Sequence, residues 1–249
     1  MSNFQLYSRY YDLLYKDKDY AAEAGYVVKA LKEQNKNITS VIELGSGTGN
    51  HAAHFCTSGL KVFGVERSVE MVEEAKKKNI PNYYPEVGDI TTFKTPQKTD
   101  AVISLFHVIS YLTDNEQLIK CFSATRESLN PNGIFLFDVW YTPAVYHLKP
   151  ETRVKRLANE VLEIVRLAEP VIHPNENVVD VNYEVIIKEK SSGSANTILE
   201  THPMRHFSIN EIKLLAALTG FEFVKAEEFF TANKPSEKTW GVCFILRKK

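Results

Sequence analysis

The chain has 249 residues, enough for one large domain or for one domain carrying an insertion. Hydrophobic residues at 44% and charged residues at 24% are those of a globular protein, and a formal net charge of -1 excludes an electrostatic grip on nucleic acid or acidic lipid. Cys56, Cys121 and Cys243 are scattered with no CxxC pair, which argues against a zinc knuckle or a disulfide framework and fits reduced thiols in a cytoplasmic protein.

Residues 1–37 read as helical, and Tyr20–Gln34 sets Ala24, Val27, Val28 and Leu31 at helical spacing. The stretch Met1–Lys18 has no apolar core, so no signal peptide is expected, and no run of about 18 apolar residues predicts a membrane span. Ile38–Leu44 is a short apolar run ending in glycines, a buried strand. A helix follows over Asn50–Ser58. Lys61–Glu66 is a second strand, and Ser68–Lys78 a helix with Ser68 as its N-cap. Asn82–Val87 and Asp100–Leu105 are the third and fourth strands. Asp114–Leu129 is a helix stopped by Asn130-Pro131-Asn132-Gly133, and Ile134–Val139 is the fifth strand. This alternation predicts a parallel, doubly wound α/β sheet, apolar on both faces.

After Trp140 the period changes. Val161–Ala168, Val178–Lys188 and Thr197–Phe207 alternate apolar and polar residues, with a Ser191–Ser194 turn, and predict an antiparallel β insertion of three or more strands. Ser208 caps a helix to Thr219, ended by Gly220, and Phe221–Phe229 and Trp240–Leu246 close the chain as strands around an exposed loop, Thr231–Lys238. The expected organisation is a ligand-binding domain over 1–140 and 207–249, with the insertion at 141–206 forming a lid over the substrate.

Three signals carry chemistry. Glu43-Leu44-Gly45-Ser46-Gly47-Thr48-Gly49-Asn50 follows a strand and opens a helix; glycines there let the backbone pass close to a ligand and present N–H groups. The spacing is neither the dinucleotide fingerprint nor a P-loop. Glu66 ends the second strand, where an acid can accept both hydroxyls of a ribose. Gly88-Asp89-Ile90 follows the third strand, where a carboxylate can accept from an adenine amine beside an apolar neighbour. All three fall at the C-terminal ends of adjacent strands, the crevice in which open parallel sheets bind ligands.

Together these residues resemble the class I S-adenosylmethionine-dependent methyltransferases, with Glu43 to Gly49 similar to their first motif, Glu66 to their ribose acid and Gly88-Asp89 to their adenine-side acid. The resemblance implies a Rossmann-like seven-stranded, mostly parallel sheet whose last strand is antiparallel, with S-adenosylmethionine as cofactor. The opening Tyr10-Tyr11-Asp12-Leu13-Leu14-Tyr15, with Lys18-Asp19-Tyr20, is similar to the small-molecule branch, notably the nucleotide-linked amino-sugar N-methyltransferases, which also carry a β insertion after the fifth strand. A histidine that some of them place after the fourth strand is Tyr111 here.

The cofactor site expected from this comprises Tyr11, Tyr20, Glu43, Gly45, Ser46, Gly47, Gly49, His51, Glu66, Arg67, Met71, Gly88, Asp89, Ile90, Leu105 and Phe106. The candidate catalytic and acceptor-side residues are Tyr15, His107, Tyr111 and Arg205, with Trp140, His202 and His206 nearby. Arg205 would suit a phosphate or carboxylate on the acceptor. Methyl transfer needs two partners held in line and water excluded, so an amine acceptor needs no strong base, whereas a hydroxyl would need one such as His107. The resemblance implies an amine nitrogen on a small molecule as the acceptor, with a small-molecule O-methyltransferase and a catalytically silent cofactor-binding protein as the other readings. No HxxxH pair or carboxylate cluster predicts a metal. No nucleic acid or membrane partner is expected, and the insertion could pair with a second copy as a homodimer.

Overall fold

The computed structural model describes residues 18–249. The expected cofactor residue Tyr11, the expected catalytic residue Tyr15 and the first part of the helical N-terminal reading lie outside the described residues.

The helix α1 (Tyr20–Gln34) is capped by Asp19, whose carboxylate accepts from Ala22 N–H. It turns Ala24, Val27, Ala30 and Leu31 inward. Then β1 (Ser40–Leu44), α2 (Asn50–Thr57), β2 (Lys61–Glu66), α3 (Val69–Lys77), β3 (Tyr83–Val87) and β4 (Thr99–Ser104) follow in turn. A 3₁₀ turn (Val108–Tyr111), α4 (Asn115–Ser128) and β5 (Leu129–Tyr141) complete the first half. Ser68 caps α3 by accepting from Met71 N–H, and Asp114 caps α4 by accepting from the N–H groups of Glu116 and Gln117.

The main sheet runs β3-β2-β1-β4-β5, continued beyond β5 by the two chain-closing strands β11 (Gly241–Lys248) and β10 (Phe221–Glu228). All of the first five pair in parallel; β11 is antiparallel to both β5 and β10, so this is the seven-stranded Rossmann-like sheet. Alternation along β5 divides the core. Phe135 and Phe137 face one side, where Phe122 of α4 meets them edge-on at 5.1 and 5.5 Å, with Phe221 and Phe244 beside. Ile134 and Leu136 face the other side, against Val27 and Leu31 of α1 and Phe55 of α2. Both layers are dry, which is why these strands read as continuous apolar runs.

The sequence places the fifth strand at Ile134–Val139, but pairing starts at Leu129. Thr99 pairs with Leu129 and Ala101 with Ile134, so Asn130–Gly133 bulge out of the ladder without breaking it. Asn132 takes a left-handed φ of 61° at the bulge.

The insertion is a meander of four strands, one more than the apolar alternation marks: β6 (Arg153–Ala158), β7 (Leu162–His173), β8 (Val178–Glu189) and β9 (Ala195–Phe207). It is preceded by a short helix, α5 (Thr142–Leu148), with Pro143 in its first turn. The insertion joins the main sheet at one point, where His206 and Phe207 run parallel to Trp140 and Tyr141 at the end of β5. The last helix, α6 (Ile209–Leu218), begins at a Ser208 cap and ends before Gly220, whose φ is 76°. Among the described residues no helix is long and apolar enough to cross a membrane.

Candidate active site

Beyond Leu44 the chain bends under a run of alternate left-handed glycines: Gly45 at φ 71°, Gly47 at 53° and Gly49 at 79°. The reasons differ along the run. At Gly45 a side chain would stand 2.5 Å from Val108 Cγ2, so the bend and the turn after β4 touch backbone to side chain. At Gly47 a side chain would meet nothing among the described residues closer than Met71 Sδ at 4.0 Å, so those residues leave the ground above it open. Glu66, ending the adjacent strand, holds this place: its Oε2 accepts from Gly47 N–H at 3.0 Å and its Oε1 from Ser68 N–H at 2.9 Å.

Glu43 is 2% exposed, and its Oε2 has no hydrogen-bond partner among the described residues. Burial, and then the charge of Glu66, push its carboxyl up to about 8. Beside it is a relay. His51 Nδ1 lies 3.8 Å from Glu43 Oε1, His51 Nε2 lies 2.8 Å from Glu23 Oε2, and Lys18 Nζ pairs with Glu23 at 3.1 Å. Tyr20 packs edge-on against the His51 ring at 4.8 Å. Further along the strand ends, Asp89 Oδ1 accepts from the N–H and hydroxyl of Thr91 at 2.7 and 2.6 Å, and these bonds hold its carboxyl below the usual range, with Arg67 adding a smaller pull. Gly88 lies over Val65, and Ile90 packs on the core edge. Leu105 is 3% exposed and belongs to the core below the strand end, while Phe106 carries Lys18 Nζ 3.6 Å above its ring.

The acceptor-side candidates separate into two groups. His107 lies 6.2 Å from the Trp140 ring, which meets Trp240 at 5.3 Å, and Tyr111 OH reaches His202 Nδ1 across to the insertion at 2.8 Å. His202 is held in turn by Glu200 at 3.1 Å. Arg205 is elsewhere. Its Nη1 donates to Thr113 O and Asn115 Oδ1 at 3.0 and 2.8 Å, and its Nη2 pairs with Glu211 Oε1 at 2.6 Å. With its fork engaged by the loop before α4 and the first turn of α6, Arg205 is a fastening of the insertion, which corrects its expected role as an anion contact. His206 likewise turns away: it is fully buried, its Nδ1 meets Thr142 Oγ1 at 2.9 Å, and burial followed by Arg205's charge lowers its imidazole to about 4.

Sequence reasoning missed Asp138. It is 2% exposed on β5, and its Oδ2 lies 2.7 Å from His107 Nδ1. A charged residue inside Ile134-Phe135-Leu136-Phe137-Asp138-Val139 was the available signal, because buried charges need partners. Glu23 was also missed; nothing local marks it, since it reaches His51 only through the packing of α1 on α2.

The residues present fit S-adenosylmethionine. The orphaned, buried acceptor on Glu43 suits a cationic ligand, the open ground above Gly47 suits a flat ribose, and Glu66 is already held at its edge.

Residues 41–133 match the family described as a methyltransferase domain. A dTDP-3-amino-3,4,6-trideoxy-alpha-D-glucopyranose N,N-dimethyltransferase of Streptomyces venezuelae is 31% identical over 138 residues, 55% of this chain and 58% of that protein. The chain thus aligns with little more than half the length of that relative. Among solved structures, an S-adenosylmethionine-dependent methyltransferase of Clostridium acetobutylicum superposes with a TM-score of 0.82 at 18% identity over 98% of both chains. The sugar N-methyltransferase KedS8 of Streptoalloteichus gives 0.81 at 22% identity, covering 96% of this chain and 93% of that one. Residues 41–133 thus carry a methyltransferase domain, and the chain has the fold of solved S-adenosylmethionine-dependent methyltransferases. Within that class its similarity runs to amino-sugar N-methyltransferases.

Proposed function

We propose that the protein methylates an amine nitrogen on a small molecule of amino-sugar type. The carrying observation is the Glu66 carboxylate bonded to Gly47 N–H at an open glycine bend, within reach of the turn that bears His107. When bound, S-adenosylmethionine supplies a methyl group already activated by its sulfonium. The chain then needs only to hold and orient. Glu66 would accept from the ribose hydroxyls, Asp89 from the adenine amine, and Glu43 would face the amino-acid end beside Tyr20 and His51. Gly45, Ser46 and Gly49 shape the bend, and Met71, Arg67, Gly88, Ile90 and Phe106 are candidates for its walls. On the acceptor side stand His107, Tyr111 and Trp140, with His202 across from them; Tyr11 and Tyr15 remain candidates by sequence. The relatives whose names specify amino-sugar nucleotides support an amine acceptor. A hydroxyl acceptor is the second reading, favoured by the close His107–Asp138 contact, since a hydroxyl needs a base.

The test has two arms. Calorimetry with S-adenosylmethionine and with its demethylated product should give saturable heat, and Glu66→Ala should weaken both by about 1–3 kcal/mol, the worth of charged hydrogen bonds. Labelled cofactor with a panel of nucleotide-linked amino sugars and their hydroxyl analogues should give product with the amines. Absence of heat with either form of the cofactor overturns the reading; product with hydroxyl analogues alone moves it to oxygen.

A further inference from the structure

We infer that His107 and Asp138 form a proton-accepting pair for the acceptor atom, with His107 Nε2 taking the proton and Asp138 acting as a positioning residue. This rests on the methyl-transfer reading but holds for an amine or a hydroxyl acceptor.

Asp138 is a carboxylate set within an apolar stretch of β5. Its strand neighbours Phe137 and Val139 are fully buried, and it pairs in the sheet with buried Cys243. A lone carboxylate there would be heavily penalised for losing water. Burial does work against its ionised form, but His107 outweighs it by charge, side chain and backbone N–H, with a smaller pull from Lys18, and the carboxyl is held below the usual range. The second carboxylate oxygen, Oδ1, accepts from the His107 backbone N–H at 3.3 Å. Both oxygens of Asp138 are therefore directed at one residue.

The backbone is bent to make this contact. Phe106 and His107 are consecutive non-glycine residues at φ 62° and 61°, a conformation that L-residues avoid. Left-handed residues of this kind persist only where their surroundings enforce them, and they gather at working sites. Here the bend swings the imidazole back over Asp138. The Nδ1 meets Oδ2 at 2.7 Å, although off the straight line of a good N–H···O bond. Nε2 is the nitrogen left for a ligand. The ring is held on its other sides by the edge of Trp140 and by Gly241, where an added Cβ would stand 3.3 Å from His107 Cε1. The side chain keeps 23% of its surface exposed. The next residue, Val108, stands against Gly45, so the turn that carries His107 abuts the glycine bend.

The proton balance is simple. An ammonium or hydroxyl acceptor gives its proton to Nε2, and the imidazolium so formed is stabilised by Asp138. The freed lone pair forms the bond to the methyl carbon while the electrons of the carbon–sulfur bond stay with sulfur. The imidazolium then returns its proton to water. Among the described residues, the other ionisable groups around the pair are Lys18, before α1, and Cys243, on β11.

The test separates a proton acceptor from a staple of the turn. His107→Gln assigns the His107 imidazole in a nuclear magnetic resonance titration of the free protein. In Asp138→Asn the midpoint of that imidazole should lie below the wild-type position, as expected for loss of an adjacent opposite charge. In steady-state kinetics the wild-type kcat/KM should carry an acidic limb at the same midpoint. His107→Gln should lose that limb and about 100-fold or more in kcat, with the S-adenosylmethionine dissociation constant by calorimetry unchanged within about twofold. Asp138→Asn should move the limb as far as the resonance moves. If either variant fails to fold, the wild-type comparison decides: a kinetic limb that does not coincide with the His107 titration overturns the pair. So does a His107→Gln enzyme with wild-type kcat, or an Asp138→Asn protein whose imidazole titrates unmoved. Failure of the wild-type protein to form product from any acceptor would sink the methyl-transfer reading instead, and the resonance shift would still report on the pair.

Discussion

Glu43 is a carboxyl placed where a negative charge is hardest to keep, and its value near 8 has a defined consequence. Folding raises its proton affinity from an ordinary 4.5, so between about pH 4.5 and pH 8 the folded state holds more proton than the unfolded one. Stability contributed by this group is intact at the low end of that window and is lost as pH rises through it. The same carboxyl, two residues before the glycine bend, keeps one oxygen without a partner among the described residues, so a cationic ligand bound beside it should ionise it. Two outcomes follow. Thermal unfolding followed from pH 5 to 8 should decline with pH more steeply for the wild type than for Glu43→Gln. Calorimetry in buffers of different ionisation heat should show proton release on S-adenosylmethionine binding near pH 7, absent in Glu43→Gln. Equal pH slopes and no buffer dependence would contradict the assignment. Glu43 and Glu66 were legible as candidates because acids at strand ends next to glycines are a local pattern. Asp138 was not, because its meaning depends on a histidine 31 residues earlier in the chain that comes over it only through two left-handed residues.

The glycine bend shows how one element positions another. Gly45 and Gly47 share a left-handed backbone but differ in surroundings, so the same substitution should separate two effects. Gly47→Ala meets open space and should cost only the backbone term, about 1–2 kcal/mol. Gly45→Ala adds a clash with Val108, so its cost should exceed that of Gly47→Ala by about 1–3 kcal/mol, as for an overpacked site. Because Val108 follows His107, Gly45→Ala should also disturb the imidazole, whereas Gly47→Ala should mainly weaken cofactor by filling the ground beside Glu66. Denaturant midpoints and cofactor titrations of the pair check this; equal losses in both would refute the close approach. Elements of this kind were readable because each strand–bend–helix unit carries its own signals: an apolar run, glycines, a cap such as Ser68. β6 and α5 were missed for the opposite reason. β6 is an edge strand with Arg153, Val154, Leu157 and Ala158 in no clean alternation, and α5 is too short to establish a period. The fifth strand was placed late because an Asn-Pro-Asn-Gly run marks a turn locally, while the sheet absorbs it as a bulge.

At the scale of the molecule, the insertion touches the main sheet through a parallel pairing only two residues long, His206 and Phe207 against Trp140 and Tyr141. So slight a joint leaves the placing of the insertion to side chains. Arg205 is the best fitted to that task. One strand residue before the joint, it grips Thr113 ahead of α4, Asn115 at the start of α4 and Glu211 in the first turn of α6, with Phe207 beneath the guanidinium at 5.3 Å. Its side chain is 13% exposed, so these contacts are only weakly screened. Removing the fork should leave Glu211 and the Thr113 carbonyl short of a donor and cost about 2–3 kcal/mol, which for a chain of this size is a fall of roughly 5–10 °C in Tm. Since the same strand carries His202, which meets Tyr111 beside the acceptor candidates, a loosened insertion should raise the acceptor KM while leaving S-adenosylmethionine affinity alone. Arg205→Met should show both effects, and Arg205→Lys should recover part of the stability, because a point charge cannot serve three acceptors in the plane of a guanidinium. If Arg205→Met raised KM with Tm unchanged, the residue would be a direct contact to an acidic acceptor after all, and the insertion would have to be held by Trp140, Trp240 and the aromatic packing around them.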